Sequence, residues 1–286
     1  MSSSRRSFLR DLAGSVRDVA AATAMPGTDP APKGSDPVGA LPSDDVERYS
    51  RQLVMAEWSE AAQLALHGAS VLIVGAGALG SPVALYLAGA GVGRLGIVDA
   101  DEVELSNLHR QPLHFTPDIG VPKAQSAAAK LRFLNPGAIV EPYQVRLDAA
   151  NAAGLVEGHD LVVDCSDSFA TRYAVNAACC AARVALVEGG VIATSGLAMA
   201  IRPGETACYR CAFPQEPPSA PTCAQAGVLG PAAGVIGSIQ ALEAIKLLSG
   251  VGEPLTDAFL QVDLATHAYL RVAVSRREDC PDCGAA

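Results

Sequence analysis

Ser70-Val71-Leu72-Ile73-Val74-Gly75-Ala76-Gly77-Ala78-Leu79-Gly80 is a short apolar run that stops at a glycine-spaced turn. A run of this length bounded by glycine reads as a buried parallel strand. The Gly75-x-Gly77-x-x-Gly80 spacing permits a tight turn, a close approach of backbone to phosphate, and close packing of a following helix, expected through Leu87. Outward from it, residues 95–98 read as a second strand ending at Asp99, 123–133 as a helix, 140–145 as a third strand and 161–164 as a fourth. The fourth leads into Cys165-Ser166-Asp167-Ser168. Strands alternating with helices predict an α/β fold: a Rossmann-like, doubly wound, mostly parallel sheet that takes ligands at its strands' carboxyl ends. Upstream, Ser43 is placed to cap a helix starting Asp44-Asp45-Val46-Glu47. Residues 185–286 hold strand-like runs, two cysteine pairs and one clear helix, 235–248, with no internal repeat.

The chain has 286 residues, 50% of them hydrophobic, which suffices for one large or two modest cores and excludes a disordered chain. Its net charge of −9 argues against nucleic-acid and membrane-surface partners. No uncharged apolar stretch approaches the roughly 20 residues of a membrane span. Residues 1–43 differ in character, Ser-rich and then rich in Ala, Pro and Gly, and are expected to form a flexible extension. Its opening Ser4-Arg5-Arg6-Ser7-Phe8-Leu9 looks like a twin-arginine export motif, but Asp11, Arg17 and Asp18 interrupt the apolar region that should follow. A short amphipathic helix on a tether is the expectation, with the chain in the cytoplasm.

Of eight cysteines, Cys208 and Cys211 form one Cys-x-x-Cys, and Cys280 and Cys283 another. Two such pairs are the usual recipe for a tetrahedral structural zinc, with redox pairs or disulfides as the alternative. Cys165, Cys179 and Cys180 sit in apolar surroundings and read as small buried hydrophobes.

Alone, the glycine spacing with Asp99 placed to hold a ribose favours a nicotinamide dehydrogenase. The residues that follow tip the balance. In Asp99-Ala100-Asp101-Glu102-Val103-Glu104-Leu105-Ser106-Asn107-Leu108-His109-Arg110-Gln111, Asn107 and Arg110 lie just beyond the ribose carboxylate, Lys123 opens the next helix and Asp167 closes the next strand. Arginine and lysine suit a triphosphate, whose charge must be neutralised before another anion can attack it. Asp167 suits a magnesium ion held by one carboxylate plus phosphate oxygens. A dehydrogenase needs none of these, and no GxxxxGK[ST] is present.

Arg48-Tyr49-Ser50-Arg51-Gln52, the glycine loop, Ala90-Gly91-Val92-Gly93, residues 103–111, Asn135-Pro136, Asp167 with Thr171-Arg172-Tyr173, Cys208-Tyr209-Arg210-Cys211, residues 222–230 and Cys280-Pro281-Asp282-Cys283-Gly284 resemble, in family order, the MoeB/ThiF/HesA family. These are prokaryotic relatives of the ubiquitin-activating enzymes. The resemblance implies an adenylyltransferase domain over residues 44–286. Its expected reaction is ATP-dependent activation of the C-terminal glycine carboxylate of a small ubiquitin-like sulfur carrier ending in Gly-Gly, of the molybdopterin-synthase or thiamine type. It further implies that Gly75, Gly77, Ala78, Gly80, Asp99, Ser106, Asn107, Leu108, His109, Arg110, Lys123, Asp167 and Ser168 surround the nucleotide. Asn107, Arg110 and Lys123 would meet the phosphates and Asp167 the magnesium ion. Arg51 resembles the arginine that reaches the phosphates of a neighbouring subunit, which implies a homodimer. Cys223, after the Pro-rich stretch 213–218, matches a loop position that forms a covalent sulfur link in some members and is dispensable in others. A cysteine desulfurase or rhodanese-like protein is the expected sulfur donor, since no sulfurtransferase-like segment follows Gly284.

The chain departs from the family pattern at Ala78, usually glycine, at Ser168, usually asparagine, and at Ala193-Thr194-Ser195-Gly196-Leu197, where relatives carry Arg-x-Glu-Gly-Gln. A nicotinamide oxidoreductase, a non-catalytic nucleotide-binding relative and an enzyme that adenylylates a free amino acid or peptide stay open as alternatives.

Overall fold

The computed structural model describes residues 41–216 and 226–284. All but the last three residues of the expected N-terminal extension, together with Cys223, lie outside the described residues. Eight strands form one sheet in the order β3-β2-β1-β4-β5-β6-β7-β8. They are β1 (Ser70–Val74), β2 (Arg94–Val98), β3 (Ile139–Tyr143), β4 (Leu161–Asp164), β5 (Ala185–Ile192), β6 (Ser195–Ile201), β7 (Ala258–Asp263) and β8 (Ala268–Ala273). β3 through β5 pair in parallel. β5 through β8 pair antiparallel, so the parallel part is confined to the half that the glycine loop belongs to.

Every residue of β1 is buried, as both faces of a parallel sheet are covered by helices. Helices α3 (Glu60–Gly68), α4 (Gly80–Ala90), α5 (Lys123–Leu134) and α9 (Gly230–Ser249) border one core, which holds Leu66, Val71, Ile73, Leu87, Leu131 and Ile236. Helices α6 (Ala152–Val156), α7 (Phe169–Ala182) and α8 (Tyr209–Ala212) border the other, with Leu72, Val162, Val175, Leu186, Met199 and Tyr209. Two short helices, α1 (Ser43–Arg48) and α2 (Ser50–Leu53), precede this frame.

The register aligns the ends of the central strands. Val74 pairs with Val98 on one side and Asp164 on the other, and Val98 pairs with Tyr143. Gly75, Asp99 and Cys165 therefore leave the sheet at one level. The chain runs from β1 outward through β2 and β3, then returns to β4 on the opposite side of β1. That reversal opens a crevice at the carboxyl ends of β1 and β4.

Two expectations need correcting. Ser43 does not cap the first helix; it is already helical, and Pro42 takes the preceding position, its carbonyl accepting from Asp45 N and Val46 N, both at 3.0 Å. Proline's fixed φ carries the chain into the turn without a side-chain cap. The last helix begins at Gly230, upstream of residue 235, because Pro231 in its first turn starts a helix well and the glycines beyond it are tolerated where the helix packs closely. Among the described residues α9 alone is long and apolar enough to cross a membrane by length and composition. It packs instead on α4, β5 and β6, which makes it a core helix.

Candidate active site

The crevice is a cleft of about 310 Å³ floored by the glycine loop. Gly75 adopts φ +95° and donates its N–H to Val98 O at 2.7 Å. At Gly80 any Cβ would lie 1.8 Å from Gly75 O, so only glycine lets α4 start against the loop. Asp99 ties the loop to β2. Its Oδ2 accepts from Ala76 N and its Oδ1 from Asp101 N, each at 2.8 Å. A carboxylate has about four lone-pair sites, so acceptor capacity remains for a ribose hydroxyl. His114 braces the loop from behind. Nε2 donates to Ala76 O and Nδ1 accepts from Ser126 Oγ, both 2.8 Å, an arrangement that suits the neutral ring. Burial lowers the His114 pKa, which keeps it neutral.

Charged side chains crowd the cleft. Asp99, Asp101, Glu102, Glu104 and Asp167 face Arg110, Lys123, Arg146 and Arg172 around it. Lys123 is buried at the start of α5, with Nζ 3.1 Å from Asp101 Oδ2, and Arg146 lies 3.5 Å from Asp101 Oδ1. Arg110 donates to Ser106 O at 2.7 Å and contacts His109 Nε2 at 2.8 Å, and among the described residues no carboxylate pairs with it. Asn107 is buried and spends its Oδ1 on Glu104 N, which fixes the turn that presents Arg110. Asp167 is exposed on the loop after β4, with no ion pair or hydrogen bond among the described residues. Ser168 caps α7 by accepting from Thr171 N at 3.4 Å. Of the expected site residues, Gly75, Gly77, Ala78, Asp99, Asn107, Arg110, Lys123, Asp167 and Ser168 line the cleft. Gly80 lies beneath it, and Ser106, Leu108 and His109 stand behind Arg110 without lining it.

Several lining residues escaped the sequence reading. Gln111 ends the quoted motif but carries no charge to single it out. Arg146 lies in an irregular stretch after β3. Arg172 belongs to a buried trio: its Nε is 3.5 Å from Glu188 Oε1, and its NH2 donates to Ser166 O at 2.9 Å. Glu188 and Asp164 are fully buried. Burial pushes the Glu188 carboxyl well above its ordinary range, the neighbouring Asp164 adds to that rise, and Arg172 opposes it. Burial raises the Asp164 carboxyl as well, with Arg172 again opposing, so two buried acids share one arginine and hold a proton between them. A lone glutamate inside the apolar strand Ala185-Leu186-Val187-Glu188 was the signal available in the sequence.

Arg51 stands apart from this cleft. Tyr49 is buried, its hydroxyl accepting from Asn135 Nδ2 at 2.9 Å, and Gln52 donates to Gln63 Oε1 at 2.7 Å. Between these two anchors Arg51 is exposed, and it does not line the cleft. The Ala193-Thr194-Ser195-Gly196-Leu197 segment forms the β5–β6 turn and the start of β6. Ala193 adopts φ 51° and exchanges hydrogen bonds with Gly227 O (2.8 Å) and Leu229 N (3.1 Å). This bridge pairs Ala193 with Val228, and Val191 and Val228 both line the cleft.

Far from the nucleotide loop, the Sγ atoms of Cys208, Cys211, Cys280 and Cys283 lie within 4.8 Å of one another and are buried. Individual separations are 3.8, 3.6 and 3.4 Å. Four sulfurs at about 2.3 Å from one ion in a tetrahedron stand about 3.8 Å apart, so the cluster could hold zinc. Cys165 and Cys179 are buried as expected, whereas Cys180 is only half-buried, at the surface of α7.

The ThiF family profile matches residues 49–283. The chain belongs to the ThiF family. It is 47% identical over 251 residues to adenylyltransferase and sulfurtransferase MOCS3 of Sus scrofa, spanning 87% of this chain and 55% of that protein. It thus spans about half the length of that relative. It is 45% identical to sulfur carrier protein adenylyltransferase of Thermus thermophilus, spanning 84% of this chain and 92% of the relative. The SAMP-activating enzyme E1 of Haloferax volcanii is 44% identical over 86% of this chain and 91% of its own length. Among solved structures, E. coli MccB with ATP shares the fold at a TM-score of 0.73 and 23% identity, covering 83% of this chain and 74% of that one.

Proposed function

We propose that this ThiF-family chain is a nucleotidyltransferase that activates the C-terminal carboxylate of a small ubiquitin-like sulfur-carrier protein as its acyl-adenylate. The observation that carries the reading is the meeting of Arg110, Lys123 and Asp167 over the glycine loop, with Asp99 at the ribose position. The names of the relatives that share the chain's length point the same way.

The carrier's terminal glycine carboxylate is ionised at neutral pH. It attacks the α-phosphorus of ATP, forms the mixed anhydride and expels pyrophosphate. No general base is needed. What the protein must supply is alignment and cancellation of repulsion between two anions. Asp99 holds the ribose, and the loop N–H groups at the start of α4 face the phosphates. Arg110, which no carboxylate among the described residues neutralises, meets the phosphate charge, and Lys123 adds to it from the start of α5. Asp167 fits magnesium because its carboxylate has no protein partner among the described residues and the cleft is rich in acids. Magnesium bound there would neutralise phosphate charge and steady the leaving pyrophosphate.

Arg51 completes the same site on a second copy, which makes a homodimer the active unit. Its exposure between two anchored neighbours, and its absence from its own chain's cleft, support this. The four-cysteine cluster binds zinc as a structural ion, and Cys223 takes the sequence position at which some family members form a covalent sulfur link. A cysteine desulfurase or rhodanese-like protein supplies sulfur to the adenylylated carrier. The reaction runs in the cytoplasm, with residues 1–43 as an extension outside the adenylyltransferase domain.

ATP–pyrophosphate exchange with carriers ending in Gly-Gly tests the core of this. Exchange is expected only with ATP, magnesium and carrier together, and Asp167→Ala abolishes it. Exchange that survives Asp167→Ala would refute the site, and carrier-independent hydride transfer to a nicotinamide would refute the function.

A further inference from the structure

Gln111 is 4% exposed, and its carbonyl oxygen Oε1 is buried without a hydrogen-bond partner. Its backbone is settled: N–H donates to Asn107 O at 3.1 Å and the carbonyl accepts from His114 N at 3.0 Å. The side chain gives the fold nothing comparable. Gln111 lines the cleft, and its amide nitrogen makes no hydrogen bond among the described residues. Holding an unpaired amide in a buried place is costly, and an apolar side chain of similar shape would avoid that cost.

A second observation lies directly opposite. Gly77 does not use the left-handed backbone that glycine makes available, and a Cβ there would touch only Gln111 Nε2, at an ordinary 3.7 Å. The protein itself therefore gives no reason for glycine at 77. A group lying over the loop does, and the amide of Gln111 stands at the edge of that same space.

We infer that Gln111 is a nucleotide-binding residue, whose Nε2 donates a hydrogen bond to a phosphate oxygen of ATP lying over Gly77. This rests on the adenylyltransferase reading above. A neutral donor at this wall orients the phosphate chain without adding a further cation, from which pyrophosphate would have to part.

The test is Gln111→Met, close in shape and without the amide, followed by thermal melting with and without ATP–magnesium, ADP and AMP. The ligand-free protein is expected to melt at the wild-type temperature or above, because an unpaired buried acceptor has been removed. ATP affinity is expected to fall about ten-fold or more, as for a lost hydrogen bond to a charged group. The nucleotide series identifies the phosphate: a deficit already present with AMP assigns the α-phosphate, one appearing only with ADP or ATP a later one. Gln111→Glu, which replaces the donor by an anion at the same size, should lose more. Unchanged ATP affinity in Gln111→Met overturns the inference, and so does a clear drop in ligand-free melting or failure to fold, since either makes the amide structural. If wild-type protein shows no ATP-dependent shift at all, the adenylyltransferase reading fails first, and the two failures are distinct.

Discussion

Glu188 and Asp164 meet Arg172 beneath the loop that presents Asp167, and the proton they share gives the protein a pH signature. In the unfolded chain Glu188 titrates near its ordinary 4.5; in the folded protein burial raises it far above that. The folded state thus holds one more proton than the unfolded state at any pH between those values. Its stabilising effect is complete below 4.5 and is lost progressively as pH rises above it. Glu188→Gln, which keeps the size of the side chain without a titrating proton, should flatten that decline. Its melting temperature is expected to match wild type near pH 5 and to exceed it increasingly at pH 7 and 8. A parallel pair of melting curves across that range would contradict the protonated assignment. Such a residue could be noticed in the sequence only as a misplaced charge. Asp99, Arg110, Lys123 and Asp167 were legible because strand ends and motif spacing put them at one edge of a sheet. Gln111 and Arg146 were not, because their positions depend on side-chain direction within irregular turns.

At the scale of elements, the β1–loop–α4 unit was readable almost to the residue. Its glycines answer to steric demands that spacing alone expresses. Gly80→Ala puts a methyl group 1.8 Å from Gly75 O, so the helix start must retreat from the loop. A loss of several kcal/mol in stability is expected, at the upper end of single-residue effects, with ATP binding lost in whatever remains folded. Urea unfolding with and without ATP measures both. Gly120→Ala offers a contrast: its φ of +84° is left-handed, unlike that of the helical Gly80, but a Cβ there meets nothing within 4 Å. That variant should cost about 1 kcal/mol and leave ATP binding intact. The start of α1 was misjudged for a related reason. A capping side chain is visible in sequence, whereas a proline that makes the cap unnecessary looks the same as any loop proline.

For the whole molecule, Arg51, which does not line its own chain's cleft, and Asp167, which does, belong to one reaction centre only if two copies cooperate. Arg51→Ala and Asp167→Ala should each be inactive alone. Mixed and allowed to exchange subunits, they should recover about a quarter of wild-type sites, because half the dimers are mixed and each then has one site free of both changes. No recovery after verified exchange would place Arg51 outside catalysis. The antiparallel half of the sheet carries a different dependence. Cys208 and Cys211 precede α9, and Cys280 and Cys283 follow β8, so one ion gripping all four would close residues 208–283 into a ring of chain. A protease cut at the exposed turn Ala265-Thr266-His267, between β7 and β8, opens that ring without dividing the particle. The nicked protein should travel as a single species on native sizing until a chelator is added, when the short carboxyl-terminal piece comes away. The metal would then serve as a rivet, holding together what the peptide backbone no longer does.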